Sequence, residues 1–135
     1  MNSSPEIPKR TTIIVTILRL LLGVMMGASG AVFFLNLTPP LDLPAPAMNF
    51  FGALAATGYF LPFLKATELT VGLALLANRF VPLALVVLAP ITVNIVLYHF
   101  FLVPSDLAVA LLLPALHLAL AWFYRERFRE ILRAK

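Results

Sequence analysis

Polar positions along this chain are few, and they separate four apolar runs at about 12–36, 60–78, 81–103 and 106–124. At ~1.5 Å per helical residue, a run such as 60–78 extends roughly 28 Å, about the thickness of a bilayer core. Each run therefore predicts a membrane-spanning helix. Between the first two, 36–47 holds Pro39, Pro40, Pro44 and Pro46 and reads as a loop. The stretch 48–59 is apolar, helical in period and bounded by Gly58, which predicts a short helix lying in the outer interface. Thr11 or Thr12 is placed to cap the first span and Ser105 or Asp106 the fourth, while Pro62 and Pro82 suit first turns. The fold class expected is all-α: a four-helix transmembrane bundle with one interfacial helix, in a single integral membrane domain over 1–135. Residues 1–10 read as a short polar leader with a basic stop. In the cytoplasmic tail, 125–135, Phe128, Ile131 and Leu132 share one helical face with Tyr124, and arginines occupy the other. That amphipathic basic tail should lie flat on the inner leaflet.

Charge decides the number of crossings. With four spans, Lys9, Arg10, Arg79, Arg125, Arg127, Arg129, Arg133 and Lys135 all fall on one side, and the other keeps Asp42 and Asp106. A fifth span over 48–64 would send the C-terminal cluster to the opposite face from Lys9 and Arg10. The positive-inside rule thus favours four spans with both termini cytoplasmic, in a bacterial inner (plasma) membrane. A secretory signal peptide is the competing reading of the N-terminus, since Ala28-Ser29-Gly30 is small. Arg19 breaks its hydrophobic region, however, and the apolar run continues past any cleavage site.

Composition agrees: the chain is 61% apolar and 12% charged, against about 25% charged in soluble domains. Its mean hydropathy is +0.99. Without cysteine, thiol redox chemistry, disulfides and iron–sulfur ligation by this chain are excluded. The net charge of +4 sits beside apolar segments, which points to anionic lipid head groups and not to nucleic acid.

Only the second run places opposite charges, Lys65 and Glu68, one helical turn apart in hydrocarbon. A charge at the bilayer centre costs roughly 2.5–3.5 kcal/mol on insertion scales, so both demand partners. In the first run, Arg19, Gly23, Gly27 and Gly30 line one stripe, with Gly23 and Gly27 in GxxxG spacing, so that stripe should face another helix. Arg19 then either points inward at a partner or snorkels to the cytoplasmic interface. Pro90 should kink the third span and free carbonyls near Val86. Counted from the cytoplasmic ends, Arg19 lies roughly 13 Å deep, Glu68 roughly 16 Å and His117 roughly 12 Å; Lys65 and Asn94 lie roughly 20 Å deep and His99 roughly 27 Å. Two readings of this column stand side by side. In one, an Arg19–Glu68 pair specifies which helix packs on which, with no ligand. In the other, Glu68 binds a proton or a polar head group, tuned by Arg19, Lys65 and His117, with Asn94 and His99 farther out.

Haem is disfavoured, because two axial histidines must face one another and His99 and His117 differ by roughly 15 Å in depth. No metal-binding spacing, catalytic triad, phosphate loop or dinucleotide fingerprint occurs. The expectation is a protein with no cofactor and no activity by itself.

Certain residues carry a family likeness. Leu18 to Gly23, Thr57 to Pro62, Glu68 with Gly72, Leu75, Leu76 and Arg79-Phe80, then Pro90, Val93-Asn94-Ile95, His99 and Trp122 to Arg125 together resemble the DoxX-like family of small bacterial membrane proteins. The resemblance runs from about Ile14 to Arg133. It implies a four-helix membrane bundle, with Glu68 and Arg19 at the positions of recurrent family residues. The family name derives from a membrane subunit of a thiosulfate:quinone oxidoreductase. Since the chain supplies no redox centre, the role implied is at most anchoring a partner or forming a quinone pocket. Three functions follow as expectations: binding a small amphiphile, lipid or quinone, around Glu68; serving as membrane anchor or quinone-site subunit for a redox partner protein; or acting as a proton-coupled transporter or scaffold, as a homo-oligomer.

Overall fold

In a computed structural model that describes residues 9–133, every regular element is helical. The expected leader over 1–8, the last two tail residues and the side chain of Leu132 lie outside the described residues. The helices are α1 (Lys9–Phe34), α2 (Ala45–Ala56), α3 (Phe60–Leu76), α4 (Val81–Leu102), α5 (Leu107–Ala110), α6 (Leu112–Phe123) and α7 (Arg125–Leu132), with a 3-10 turn at Pro104–Asp106. Three stretches are long and apolar enough to cross a membrane: α1, α4, and Pro104–Phe123 taken together. The 17-residue α3 makes a fourth only when joined to α2, from which it bends by 94°.

Local chemistry explains where the elements depart from expectation. α2 starts at Ala45, before the expected 48, because Pro46 falls in its first turn, where a missing N–H costs nothing. The bend into α3 is built by Gly58, at φ +74°, and by Thr57. The Thr57 hydroxyl donates to the Leu54 carbonyl (2.7 Å) and accepts from the Phe60 N–H (3.1 Å), tying the two helix ends together. The fourth apolar run is one span in length but breaks at Leu111. Pro114 has no N–H for the Ala110 carbonyl, so the ladder is interrupted there. α4 continues through Pro90 as a single helix.

In hydrocarbon, apolar side chains gain little by touching one another rather than lipid, so packing depends on close backbone approach. The glycine stripe of α1 supplies it. Gly23, Gly27 and Gly30 are buried against α3, where Gly72 meets Gly27 so closely that a Cβ on Gly72 would lie 2.6 Å from the Gly27 Cα and 2.9 Å from the Gly23 carbonyl oxygen. From this crossing the helices close a ring, α1 on α3, α3 on α4, α4 on α6 and α6 back on α1. Leu22, Leu75, Leu85, Leu88 and Leu120 fill its centre. The polarity is that of a membrane protein: Arg19, Glu68, Thr92 and His117 are buried, while Val24, Leu83, Phe101, Val109 and Leu118 are more than half exposed. Outside the ring, α2 touches α3 and α4, and its Phe50 and Phe51 rings stack on Tyr98 at 5.9 and 5.2 Å.

Two alanine substitutions separate close approach from helix propensity. Gly72→Ala should destabilise by about 1–3 kcal/mol through overpacking. Gly52→Ala, on α2 with nothing within 4 Å of the new methyl group, should stabilise by about 0.5–1 kcal/mol. Unfolding titrations in mixed micelles measure both; equal behaviour would show that the Gly27–Gly72 approach does not hold α1 to α3.

Candidate functional site

Lys65 and Glu68 are three residues apart on α3 and share the face that meets α1. Gly30 lets that face come close: a Cβ there would lie 2.7 Å from the Lys65 carbonyl oxygen and 2.6 Å from the Leu69 Cβ. Ser29, next to Gly30, is thereby delivered to both charges. Glu68 Oε2 accepts from Ser29 Oγ at 2.6 Å and from Lys65 Nζ at 2.8 Å, and Ser29 Oγ in turn accepts from Lys65 Nζ at 2.8 Å. The result is a ring of three hydrogen bonds with no net charge. The Glu68 side chain is 4% exposed and that of Lys65 is 23% exposed, so the carboxylate is the inner member and the ammonium the outer. Two valences remain. Lys65 uses two of its three ammonium protons, and among the described residues no protein donor reaches Glu68 Oε1.

Arg19 is elsewhere. Its Nη1 donates to the carbonyls of Leu75 and Leu76, the latter at 3.1 Å. These belong to the last turn of α3, whose carbonyls have no partner within the helix and carry the negative end of its dipole. Arg19 thus closes α3 from outside, and no ion pair joins it to Glu68 among the described residues. From Glu68 to Leu75 is ~10 Å along α3, beyond the reach of one guanidinium committed to the helix end. The Arg19–Glu68 pair is therefore not formed, and the guanidinium turns instead toward the end of α3 that borders Tyr124 and Arg125.

His117 is separate again. Its Nε2 lies 3.1 Å from the Leu85 carbonyl oxygen and its Nδ1 lies 2.8 Å from Thr92 Oγ1. A carbonyl can only accept, so Nε2 carries a proton, while the threonine hydroxyl can serve Nδ1 as donor or acceptor. With both nitrogens used, His117 is a bridge from α6 to α4. Its carbonyl partner sits one residue before Val86, whose own carbonyl Pro90 leaves without an N–H. His99 bonds its own helix, Nδ1 to the Ile95 carbonyl at 2.8 Å, and meets the Tyr98 ring edge-on. Asn94 is on the exposed side of α4.

The structure therefore joins Lys65 to Glu68 and disperses Arg19, His117, Asn94 and His99. Sequence reasoning missed Ser29 and Thr92. Ser29 had a signal, its position beside a glycine of the packing stripe, whereas Thr92 had only its place two residues beyond Pro90. Among the described residues, no three acidic or histidine side chains converge where a metal could bind.

Two of the cavities that lie away from the ring differ in character. A groove of about 620 Å³ between α4 and α6 reaches Phe128 and Ile131 of α7, and its walls are nearly all apolar. A polar cup of about 500 Å³ lies at the end of the molecule marked by Arg19 and Tyr124.

The chain matches no family model, no curated protein and no solved structure.

A double-mutant cycle measures the ring. Glu68→Leu leaves the Lys65 ammonium unpaired and should cost about 3–5 kcal/mol, and adding Lys65→Met should restore much of that loss. Equal, additive losses in detergent unfolding would mean that the two charges are not coupled.

Proposed function

We propose that this chain is a DoxX-like protein of the bacterial inner membrane. It crosses four times as a helical bundle, with both termini cytoplasmic and α2 in the outer interface. It binds a small amphiphile at Ser29, Lys65 and Glu68. The observation that carries this reading is the pair of open valences in the ring, one donor on Lys65 Nζ and one acceptor on Glu68 Oε1, beside an ammonium that is partly exposed. A purely structural pair would be better served by full mutual saturation, because an unmet valence in hydrocarbon costs free energy. A polar group that offers an acceptor to Nζ and a donor to Oε1 completes both. Lipid head groups with a hydroxyl beside an ester have that character. The same pair favours one second reading, a quinone-site subunit working with a redox partner protein, since a quinone carbonyl accepts where a quinol hydroxyl donates.

Two experiments test this. For topology, the absence of native cysteine allows single-cysteine labelling at exposed positions. An impermeant maleimide should label Thr38→Cys and Ser105→Cys from outside intact cells and Arg79→Cys only after permeabilisation; labelling of all three from one side would end the four-span reading. For the ligand, native mass spectrometry and extraction of the detergent-purified protein should find a small amphiphile on the wild type that is lost from a folded Glu68→Gln variant. If neither retains anything and the variant is merely less stable, the ring is structural.

A further inference from the structure

The cup at the inner end is built from three parts of the chain. Thr11, Thr12, Val15, Thr16 and Arg19 come from the first half of α1, Asn78 from the α3–α4 turn, and 123–127 from the junction of α6 and α7. It differs from the groove between α4 and α6 in being lined almost equally by polar and apolar surface. Its charged lining residues are Arg19, Arg125, Arg127 and Glu126, three positive and one negative, leaving two positive charges facing one space. The single carboxylate is already engaged, since Glu126 pairs with Arg129 at 2.8 Å and with Arg125 at 3.7 Å. Arg127 makes no ion pair among the described residues. Arg19 spends only Nη1 on the end of α3, so the rest of its guanidinium fork remains for a guest.

We infer that this cup binds a phosphate group, that of an anionic phospholipid of the inner leaflet. Guanidinium forks recognise phosphate by paired, charge-assisted hydrogen bonds, and the hydroxyls of Thr11 and Thr12 with the Asn78 carboxamide add neutral partners around it. The level of the cup fits a lipid source. Trp122 and Tyr124 border this end as interfacial aromatics do, and Arg125 stacks on Trp122 with its guanidinium 4.7 Å from the ring centroid. The lipid's acyl chains would then run along the exposed apolar faces of the neighbouring helices. The placement in the inner leaflet rests on the four-span orientation proposed above. Lipid binding in detergent does not depend on it, so failure of one does not imitate failure of the other. Nor does it involve the Ser29–Lys65–Glu68 ring, which lies toward the middle of α3.

The test is a native mass-spectrometric titration of the full chain with phosphatidylglycerol and with phosphatidylcholine of the same acyl chains. Three proteins are compared: wild type, Arg127→Gln, and Arg133→Gln, which removes the same charge from the same tail but does not line the cup. The wild type should bind phosphatidylglycerol about tenfold more tightly than phosphatidylcholine, a difference of about 1.4 kcal/mol. Arg127→Gln should abolish that preference and Arg133→Gln should leave it within about twofold. Thr11→Val, which removes a lining hydroxyl without changing charge, should weaken phosphatidylglycerol severalfold. Equal losses in the two arginine variants would assign the effect to diffuse surface charge and overturn the site, as would equal binding of the two lipids by the wild type. Added inorganic phosphate separates the sources: persistence of the bound lipid supports the lipid head group, and its displacement at millimolar phosphate would make soluble phosphate the guest and overturn the lipid assignment.

Discussion

The charged groups of the interior, Arg19 and Glu68, depend on how closely α1 and α3 approach at Gly27 and Gly72. In a bilayer no general hydrophobic force drives helices together, and two backbones in near contact supply the dispersion that larger side chains would forbid. That single crossing has consequences in both directions along α1. Two residues beyond it, Ser29 is brought to Lys65 and Glu68. Eight residues before it, Arg19 is brought to the end of α3. A charged ring and a charged helix cap, which look unrelated, are therefore two products of one glycine contact.

The polar interactions share a second property, that each finds its principal partner locally. Lys65 and Glu68 cancel one another, Arg19 is set against the dipole end of α3, and His117 bridges Thr92 and the Leu85 carbonyl. In a medium that cannot solvate charge, such closure is how ionisable residues are tolerated. The departures stand out by contrast: the unused valences at Lys65 and Glu68, the spare guanidinium groups at the cup beside Tyr124, and the hydroxyl of Tyr98, buried without a partner among the described residues on a ring that packs against Phe50 and Phe51.

Much of the architecture was legible in the sequence because hydropathy and glycine spacing speak directly about helices in lipid. The bounds of α4 and the inward face of Gly23, Gly27 and Gly30 follow from those two signals alone. Depth counting was the weaker tool. It measures position along a helix axis and says nothing of direction around it, so it placed Arg19, Glu68 and His117 in one layer although they face different neighbours. It likewise gave Asn94 the level of Lys65 while Asn94 points outward. Arg19 was harder still, since its partners are carbonyl groups at a helix end, which every residue possesses and no letter reveals. Ser29 read as merely small, and its hydroxyl gained meaning only from the side chains across the crossing. The break at Leu111 was foreshadowed by Pro114, but whether a proline kinks or interrupts a helix depends on the neighbours that support it.

The unequal lengths of the two central helices give their crossing a mechanical role. α1 has 26 residues, ~39 Å, and α3 has 17, ~25 Å, while the hydrocarbon layer is about 30 Å thick. The long helix must lean to keep its apolar length within the hydrocarbon, and the short one draws the layer thinner or is roofed at its N-terminal end by α2. The two helices are in close approach from Gly23 to Gly30, and leaning takes place about that short segment. Ser29 lies within that segment, whereas Arg19 lies four residues beyond its end at Gly23. A change in bilayer thickness would scarcely disturb the carboxylate ring, yet it would swing the guanidinium across the end of α3, so the two polar sites of this protein differ in how strongly they feel the membrane around them.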